Sequence, residues 1–280
     1  MPIRAALLRD HLRFRPALAV YCSGMAEVSP VAWPIYKLFD QLGRYLVCYM
    51  LIHNYYAWRH AGGRAPTLAA LQRVAGSSER QTAGFVAALK AGRFVIVDDD
   101  PTDGRQKLLR PAPAMVAEIG RSVRLFIAAM DAVDQNTPPR AALFSDADLL
   151  GDVLQRSAAH VLANGTLLHG FPTVLYFAER DCGYPLLSAV MGAHYAATLP
   201  GVPPAVPLTV RALAQRFQVS PAHIGNLLGE AERQGWFSLE PAGPSVSEAL
   251  VGEFEAWAAG QMAHYEEIAD ETRNFFDMAS

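Results

Sequence analysis

An internal repeat constrains the fold of this 280-residue chain more than any other feature. Residues 67–71 (TLAAL) align with residues 209–213 (TVRAL) at a shift of 142 residues. The same shift, held without gaps, aligns mostly apolar positions at helical spacing as far as Val95 and Phe237. A chain that repeats a segment in this way is expected to fold as two copies of one supersecondary unit. The alternative is two unrelated helical segments in a chain rich in Ala and Leu.

The two halves carry opposite net charges, which the whole-chain value of −3 conceals. Residues 1–140 contain 18 Lys and Arg against 11 Asp and Glu, a net charge of +7. Residues 141–280 contain 6 against 16, a net charge of −10. This inversion predicts that one copy meets a polyanion and that the other no longer does.

The composition is that of a globular protein with a large core. Hydrophobic residues make up 51% of the chain, which is enough for one or two domains. Cys22, Cys48 and Cys182 are odd in number and far apart in sequence, so a reducing, cytoplasmic setting is expected. The longest uncharged apolar segment, residues 45–58, is shorter than the roughly 20 residues of a membrane span. No membrane partner is therefore expected.

Helices are expected to dominate both halves, and the order of elements repeats. The first half is predicted to contain helices at about 4–23, 34–59, 67–74 and 78–93, strands at 94–97 and 106–110, and a closing helix at 113–133. The second half is predicted to contain helices at about 145–163, 172–198 (bent at Pro185), 209–217 and 220–233, a strand at 236–239, and a C-terminal helix from 247 or 245. Residues 134–141 are the predicted linker, between a basic domain at 1–140 and an acidic domain at 141–280.

Two helices joined by a tight turn and followed by a hairpin form the order of a winged helix-turn-helix. Residues 67–97 and the hairpin at 100–108 resemble the MarR family of bacterial transcription regulators. In that family the hairpin, or wing, carries an acidic residue and then an Arg, as Asp103 and Arg105 do here, and a long helix follows. The resemblance spans roughly residues 33–133, with a weaker echo in the second half.

The resemblance implies a mainly α protein made of two tandem winged helix-turn-helix repeats. Members of the family usually work as two-fold dimers, so a fused pair is expected to pack as a pseudo-dimer through its long helices. The resemblance also implies a DNA-binding transcription regulator. In such a protein the helix at 78–93 enters the major groove and the wing at 98–110 touches the neighbouring minor groove. A two-fold operator would then require two chains, so a homodimer is a further expected partner.

The residue types at these positions favour DNA independently of the resemblance. Arg80 and Gln81 carry side chains that form bidentate hydrogen bonds with guanine and adenine edges. Ser78 and the helix N-terminus can face a phosphate. Arg105 at the wing tip suits a narrow, negative minor groove. The full set of predicted DNA contacts is Arg64, Arg73, Ser78, Arg80, Gln81, Arg105, Lys107 and Arg110.

The second copy departs from this pattern. Its helix at 220–233 has Arg233 as its only basic residue, and its shortened hairpin at 240–244 contains no Arg or Lys. These differences leave open an alternative of another class, a winged-helix scaffold used for protein–protein interaction without recognition of DNA. An enzyme is not expected, because the sequence contains no P-loop, dinucleotide-binding, HExxH or GxSxG motif. No cofactor and no metal are expected either.

Aromatic residues in the long helix of the first half allow two interpretations. Tyr45, Tyr49 and Tyr56 share one helical face, which is usually part of a core. In a MarR-like protein the same face, together with His53, could line a pocket for a small aromatic effector. For His53 alone, the plain interpretation is a helix histidine near a packed interface.

Overall fold

The computed structural model describes residues 2–29, 35–101, 103–203, 206–240 and 243–279, and its helices confirm the prediction of a mainly α protein. The first half contains α1 (Pro2–Arg9), α2 (Phe14–Ala26), α3 (Leu42–Ala61), α4 (Leu68–Gln72), α5 (Glu79–Ala91), β1 (Val95–Asp99), β2 (Lys107–Pro111), α6 (Pro113–Ile119) and α7 (Arg121–Asp134). The second half contains α8 (Ala147–Asn164), α9 (Pro172–Ala178), α10 (Gly183–Thr198), α11 (Val210–Arg216), α12 (Pro221–Arg233), β3 (Phe237–Glu240), β4 (Gly243–Val246) and α13 (Glu248–Ala279). Among the helices of these segments, none combines the length and the apolar character that a membrane span requires.

Proline marks the start of two helices that were predicted as parts of longer ones. The helix predicted at 4–23 is divided into α1 and α2, with Pro16 in the first turn of α2. The helix predicted at 172–198 is divided into α9 and α10, with Pro185 in the first turn of α10 and not at a bend. Proline has no N–H for an intrahelical bond and its ring clashes with the preceding turn, so each helix begins just before it. The predicted closing helix of the first half also divides, at Gly120, into α6 and α7.

The helix predicted at 34–59 is wrong at its N-terminal end. Pro34, its predicted first residue, lies outside the described residues. A 3₁₀ helix covers Ile35–Phe39 and ends before α3 begins. Gln41 separates the two in an extended conformation, with φ −119° and ψ 135°, which no helical hydrogen bond can span. The break places Asp40 at the N-terminal end of α3.

Helix starts recur in the two halves at the same shift of 142 residues. Thr67 caps α4 by accepting a hydrogen bond from the Ala70 N–H at 3.2 Å, and Thr209 caps α11 through the N–H three residues on, also at 3.2 Å. Ser78 and Ser220 cap α5 and α12 in the same way. These side-chain oxygens satisfy a helical N–H that would otherwise be free, so they fix where each helix begins.

Left-handed backbone positions recur at the same shift. The φ angle is +67° at Gly76 and +55° at Gln218, in the turns before α5 and α12. It is +60° at Arg93 and +66° at Gly235, in the turns before β1 and β3. Each pair holds one glycine, although only glycine adopts this conformation without a steric cost. The two helix–hairpin units, residues 67–111 and 209–246, therefore match in their helix starts and in their turns.

Each unit ends in an antiparallel hairpin, and the two hairpins differ at their tips. β1 pairs with β2 through five residue pairs, and β3 pairs with β4 through four. Seven residues connect the first two strands, whereas two residues connect the second two. The first hairpin therefore has the longer tip.

The two halves pack reciprocally through their helices. α2 of the first half lies against α10 of the second, and α8 of the second half lies against α3 of the first. The helices that follow the hairpins, α7 and α13, contact each other. Each of them also contacts an earlier helix of its own half, α2 or α8. One hydrophobic cluster runs through both halves, so the halves share a core.

The segment predicted as a linker, residues 134–141, is mostly exposed but is held to both halves by one buried side chain. Arg140 within it is only 8% exposed, and its Nε donates to Asp131 Oδ1 at 3.0 Å. Its Nη1 lies 3.4 Å from Asp270 on α13. These ion pairs fix the connecting segment to the last helix of each half.

Candidate nucleic-acid interface and the cavity between the halves

α5 has a buried face and an exposed N-terminal turn. Thr82, Val86 and Leu89 recur at helical spacing and are at most 3% exposed. Residues 79–81, in the first turn, are exposed. The first turn of a helix offers unbonded N–H groups and the positive end of the helix dipole. An anionic group can therefore approach α5 at this end.

The turn between α4 and α5 is held by side-chain hydrogen bonds. Gln72 Nε2 donates to Glu79 O at 3.0 Å. Ser77 Oγ and Thr82 Oγ1 lie 2.8 Å apart. Thr82 Oγ1 also donates to the backbone carbonyl of Ser78 at 3.1 Å. These contacts fix α4 against the start of α5.

Arg80 and Arg105 are exposed and have no partner within the described residues. Arg80 lies in the first turn of α5, and Arg105 lies at the tip of the β1–β2 hairpin. Neither side chain forms a hydrogen bond or an ion pair in the part of the chain that the structure describes. Arg64, in the segment before α4, has the same properties. All three guanidinium groups are available to an anionic partner.

Two aspartates order the hairpin tip that carries Arg105. Asp103 Oδ1 accepts a hydrogen bond from the Arg105 backbone N–H at 3.1 Å, and Asp103 Oδ2 accepts one from Gln106 Nε2 at 3.2 Å. Asp100, which is 9% exposed, accepts one from the Asp103 N–H at 3.3 Å. Thr102, in the same tip, lies outside the described residues. The acidic residue that the MarR resemblance singles out thus shapes the turn beneath the Arg.

Two of the predicted phosphate contacts are ion-paired within the hairpin. Lys107 pairs with Asp99, and Arg110 Nε donates to Asp98 Oδ2 at 2.7 Å. The hydrogen bond from Arg110 holds the pKa of Asp98 below its usual range, so this pair stays charged at neutral pH. These two cations reach a phosphate only where the ion pairs open.

Three further predicted contacts also have partners within the protein. Ser78 Oγ donates to Gln81 Oε1 at 2.9 Å and accepts from the Gln81 N–H at 3.3 Å. The Gln81 oxygen, which a bidentate contact with adenine requires, is therefore occupied. Arg73 Nε donates to the Ala69 carbonyl at 3.1 Å. Of the eight predicted contacts, those without a partner among the described residues are Arg64, Arg80 and Arg105.

Polar side chains of the second unit make contacts within the protein. His223, which aligns with Gln81, donates from Nε2 to the Asp181 carbonyl at 2.8 Å. Arg216 donates to a backbone carbonyl of α2 at 2.8 Å. Arg233, at the far end of α12, pairs with a glutamate on the same helix. The start of α12 is thus tied to the body of the protein.

A cavity of about 190 Å³ lies among helices of both halves. Residues of α2, α3, α7, α8, α10 and α13 contribute to its wall. Tyr45 and Tyr49 line it and also pack in or against the hydrophobic core. Tyr56 and His53 do not line the cavity. Each forms a 3.1 Å hydrogen bond with a backbone carbonyl of α8, that of Ala147 for Tyr56 and that of Gln155 for His53. The structure thus brings two of the four predicted ligand residues to the cavity.

The polar groups on one part of the wall are neutral. Burial holds the pKa values of Tyr45 and Tyr49 well above the ordinary phenol value, so both keep their protons. Ser157 Oγ and His264 Nε2 lie 2.7 Å apart. Burial, with His160 nearby, lowers the pKa of His264 to about 4, so its imidazole is uncharged at neutral pH.

Two carboxyl groups, Asp40 and Glu118, form an acidic part of the wall. Burial is the main reason that both pKa values are raised. The pKa of Asp40 reaches about 7, since the negative charges of Glu118 and Asp181 add to the effect of burial. The Asp40 carboxyl forms no hydrogen bond or ion pair within the described residues, whereas Glu118 lies 3.9 Å from Arg121.

Trp257 supplies a second polar group without a partner. It lines the cavity, is 5% exposed, and has no hydrogen-bond acceptor for Nε1 among the described residues. Its ring packs against Phe126 and Tyr184 at centroid separations of 5.5 and 5.4 Å. A buried N–H without an acceptor costs about 1–3 kcal/mol, so an oxygen placed beside it would stabilise the site.

The cavity residues missed at the sequence level come from separate helices. Asp40 precedes α3 and Glu118 lies on α6, whereas Trp257 and His264 lie on α13. No local motif joins them, because packing alone brings these helices together. One weak signal was present, since Trp257, Gln261 and His264 recur at helical spacing on a largely apolar helix.

The MarR resemblance rests on the residues between 67 and 108 and on the order of their elements. Arg80 and Arg105 are exposed cations at the start of α5 and at the tip of the β1–β2 hairpin. Comparison of the chain with protein families, with curated proteins and with solved structures finds no match.

Proposed function

We propose that this protein is a DNA-binding transcription regulator built from two tandem winged helix-turn-helix repeats. In this proposal α4 and α5 are the helix-turn-helix, and α5 enters the major groove. The β1–β2 hairpin is the wing and contacts the neighbouring minor groove. The first half carries the DNA contacts, the second half completes the scaffold, and a cytoplasmic location follows from the function.

The observation that carries the proposal is the exposure of Arg80 and Arg105 without partners among the described residues. They lie at the two places from which a winged helix-turn-helix contacts DNA. An unpaired Arg on a helix can bind guanine through two hydrogen bonds. An unpaired Arg on a wing can enter a narrow minor groove. Lys107 and Arg110, by contrast, are already matched by carboxylates.

The reciprocal packing of the halves supports the pseudo-dimer. In a two-fold dimer, the same surface patch on each subunit contacts its equivalent on the other. The α2–α10 and α8–α3 contacts form such a pair, and α7 and α13 meet as equivalent elements. The matched caps and left-handed residues of the two units add support at the level of the backbone.

A winged-helix scaffold that binds a protein and not DNA is the second candidate, and the second unit favours it. This half has a net charge of −10, which makes its approach to phosphates unfavourable. His223 and Arg216 are used for contacts within the protein. In the proposal, this unit therefore serves as scaffold or protein-docking surface while the first unit binds DNA.

Two further partners belong to the proposal. A small aromatic effector would occupy the cavity beside Tyr45 and Tyr49. A palindromic operator would need two chains, each docking its first half, with half-sites about one helical turn apart. A homodimer would then form on the DNA.

Selection of bound sequences from random duplex DNA, with the purified protein, tests the proposal. On the selected sequence, Arg80→Ala and Arg105→Ala should each weaken binding by about 1–3 kcal/mol where the side chain contacts a base, and sequence preference should relax. A residue that contacts phosphate alone should instead lower the salt dependence of binding.

Arg211→Ala is the matched control, because Arg211 is an exposed arginine of the second unit without a partner in the described part of the chain. The affinity of this variant for the selected DNA should stay within about twofold of that of the unmodified protein, as for a surface substitution away from the interface. Full-strength binding by the Arg80→Ala, Arg105→Ala double variant contradicts the proposal. Failure to enrich any DNA sequence contradicts it too and favours the protein-docking scaffold.

A further inference from the structure

We propose that the cavity between the halves binds a small aryl amine. Its ring lies against the aromatic wall, its protonated amino group binds Asp40, and an oxygen acceptor on it binds Trp257 Nε1. This assigns a chemical class to the effector of the proposed function, and it rests on that function only for its regulatory consequence. The site itself is argued from the cavity.

The volume of the cavity suits one aromatic ring with a short chain. The cavity holds about 190 Å³. A dry protein cavity of about 150 Å³ accommodates a benzene molecule. One ring with a two-carbon arm is therefore the size of occupant that the space allows.

The wall is built to hold a ring and a cation. Aromatic rings attract another ring by stacking or edge contacts, and they attract a cation through their negative faces. Tyr45 and Tyr49 are already stacked, with ring centroids 5.7 Å apart. The aromatic residues of the wall that carry this argument are Tyr45, Tyr49, Phe126, Tyr184, Trp257 and Tyr265.

Asp40 provides the acceptor for the amino group. Its carboxyl has no hydrogen-bond or ion-pair partner in the described chain, and a poorly solvated carboxylate without a partner is costly. A ligand ammonium would supply the charge-assisted hydrogen bonds that the protein does not supply. Glu118 lies on the same wall and increases its attraction for a cation.

An anionic ligand is disfavoured by the same groups. Asp40 and Glu118 repel a carboxylate, and Arg121 is the one arginine of the wall within the described residues. Arg121 Nη2 already donates to the backbone carbonyls of Gly24 and Glu27, and Nη1 lies 3.9 Å from Glu118. The Arg121 guanidinium, which could otherwise bind an anion, is therefore largely occupied by contacts within the protein.

Trp257 adds a requirement for an oxygen on the ligand. Its indole N–H is buried without an acceptor within the described residues, and an indole nitrogen can only donate. A phenol or alcohol oxygen would satisfy it. The ligand therefore carries a donor at one point and an acceptor at another.

Binding should be linked to the release of a proton. The pKa of Asp40 is about 7, raised by burial and by Glu118 and Asp181 and lowered by Arg44 and Lys37. An ammonium group binds the ionised carboxylate, so affinity should rise from about pH 6 to pH 8. At about pH 6 a proton should leave Asp40 on binding, which calorimetry in two buffers of different ionisation enthalpy detects.

Four probes of one shape test the assignment by calorimetric titration of the full chain without DNA. Tyramine carries the ring, the ammonium and the phenol oxygen, and we expect it to bind. Tyrosol replaces the ammonium with a hydroxyl and should bind roughly tenfold or more weakly. 4-Hydroxyphenylacetate carries a carboxylate and should bind more weakly still. 2-Phenylethylamine lacks the oxygen and should lose a few-fold in affinity, about the value of one hydrogen bond.

Matched variants identify the groups involved. Asp40→Asn should weaken tyramine roughly tenfold or more and leave tyrosol within about twofold. Trp257→Phe keeps an aromatic ring, so it should weaken tyramine a few-fold and leave 2-phenylethylamine unchanged. Asp148→Asn is the control, because Asp148 pairs with Arg59, does not line the cavity and is not among the groups that shift the pKa of Asp40. It should leave the order of the four probes unchanged.

Several results would overturn the assignment. They are equal affinity for tyramine and tyrosol, tighter binding of 4-hydroxyphenylacetate, unchanged tyramine affinity in folded Asp40→Asn, or no binding of any probe at millimolar concentration. The titration contains no DNA, so it succeeds or fails independently of the DNA selection. A protein that binds tyramine but selects no DNA keeps the ligand site and loses the regulatory role.

Discussion

The two helix–hairpin units of this protein, residues 67–111 and 209–246, share their backbone features and differ in what their side chains contact. Both units begin their helices at Thr and Ser caps and place left-handed residues at the same spacing. The first unit has exposed Arg side chains without a partner among the described residues, one at a helix start and one at a hairpin tip. The second unit uses His223 at its helix start for a contact within the protein and has a two-residue tip.

The difference shows that the backbone and the surface of such a unit are determined separately. Caps, turns and buried apolar positions are local requirements, and both units meet them. Surface charge and hairpin length are not subject to those requirements, and they differ. The core also differs in part, since Leu89 aligns with Ala231 and both are 0% exposed.

Exchange of these core residues should have the largest effect on the comparison. Leu89→Ala gives the first unit the smaller residue that the second unit has at Ala231. It should lower the free energy of unfolding by about 2–5 kcal/mol, because the lost side chain leaves a cavity. Urea denaturation followed by circular dichroism measures the loss. A change below about 1 kcal/mol would show that the first core is no more tightly packed here than the second.

Neutralising the aspartates that precede the long helices should have the next largest effect. Asp40 precedes α3 without a partner in the described residues, whereas Asp181 precedes α10 and pairs with Arg44. The pKa of Asp40 is raised to about 7, against about 3.9 in an unfolded chain. Its protonated form therefore stabilises the fold fully below the unfolded value, and this contribution is lost as the pH rises through about 7.

Asp40→Asn should consequently raise stability at about pH 8 by about 1–3 kcal/mol and change it little at about pH 4. Asp181→Asn should instead lower stability by about 0–1 kcal/mol, the value of an exposed ion pair. Thermal unfolding of both variants at the two pH values makes the measurement. Destabilisation by Asp40→Asn at about pH 8 would mean that its carboxylate is stabilised in the fold, contrary to the raised pKa.

Exchange of the left-handed residues should have the smallest effect. Arg93 and Gly235 hold equivalent positions, with φ angles of +60° and +66°. Arg93→Gly should raise the free energy of unfolding by about 0.5–1 kcal/mol, and Gly235→Ala should lower it by about 1 kcal/mol. Chemical denaturation resolves both changes. If the two substitutions changed the free energy of unfolding in the same direction, the structural equivalence of the two turns would be contradicted.

Local signals explain how much of the fold was predictable. Thr67, Ser78, Thr209 and Ser220 mark helix starts because each oxygen satisfies an N–H only three residues away. Their spacing was sufficient to place the helix starts of both units. Proline was harder to interpret, since Pro185 was taken for a bend within a helix and lies in a first turn. Whether a helix continues through a proline depends on the packing of the preceding turn, which sequence does not display.

In the candidate sites too, the residues that could be predicted are those whose positions depend on local signals. Arg80 and Arg105 could be identified because their positions follow from a cap and from a hairpin. The pairing of Lys107 and Arg110 with carboxylates was not anticipated, since it depends on the register of β1 and β2. Of the residues that line the cavity, only Tyr45 and Tyr49 were predicted from the sequence to do so. Asp40 and Trp257, whose side-chain polar atoms have no partner in the described part of the chain, are more than 200 residues apart, and no local pattern relates them.

Because α2 packs on α10 and α8 packs on α3 within one chain, association of the two halves is a unimolecular equilibrium. A complex made of separate subunits dissociates on dilution. Here the effective concentration of one half around the other is of millimolar order or higher, set by the short connecting segment. The stoichiometry of basic to acidic half is also fixed at one to one, whatever the expression level. A cell that holds only a few copies of this protein therefore holds each of them with its two halves associated.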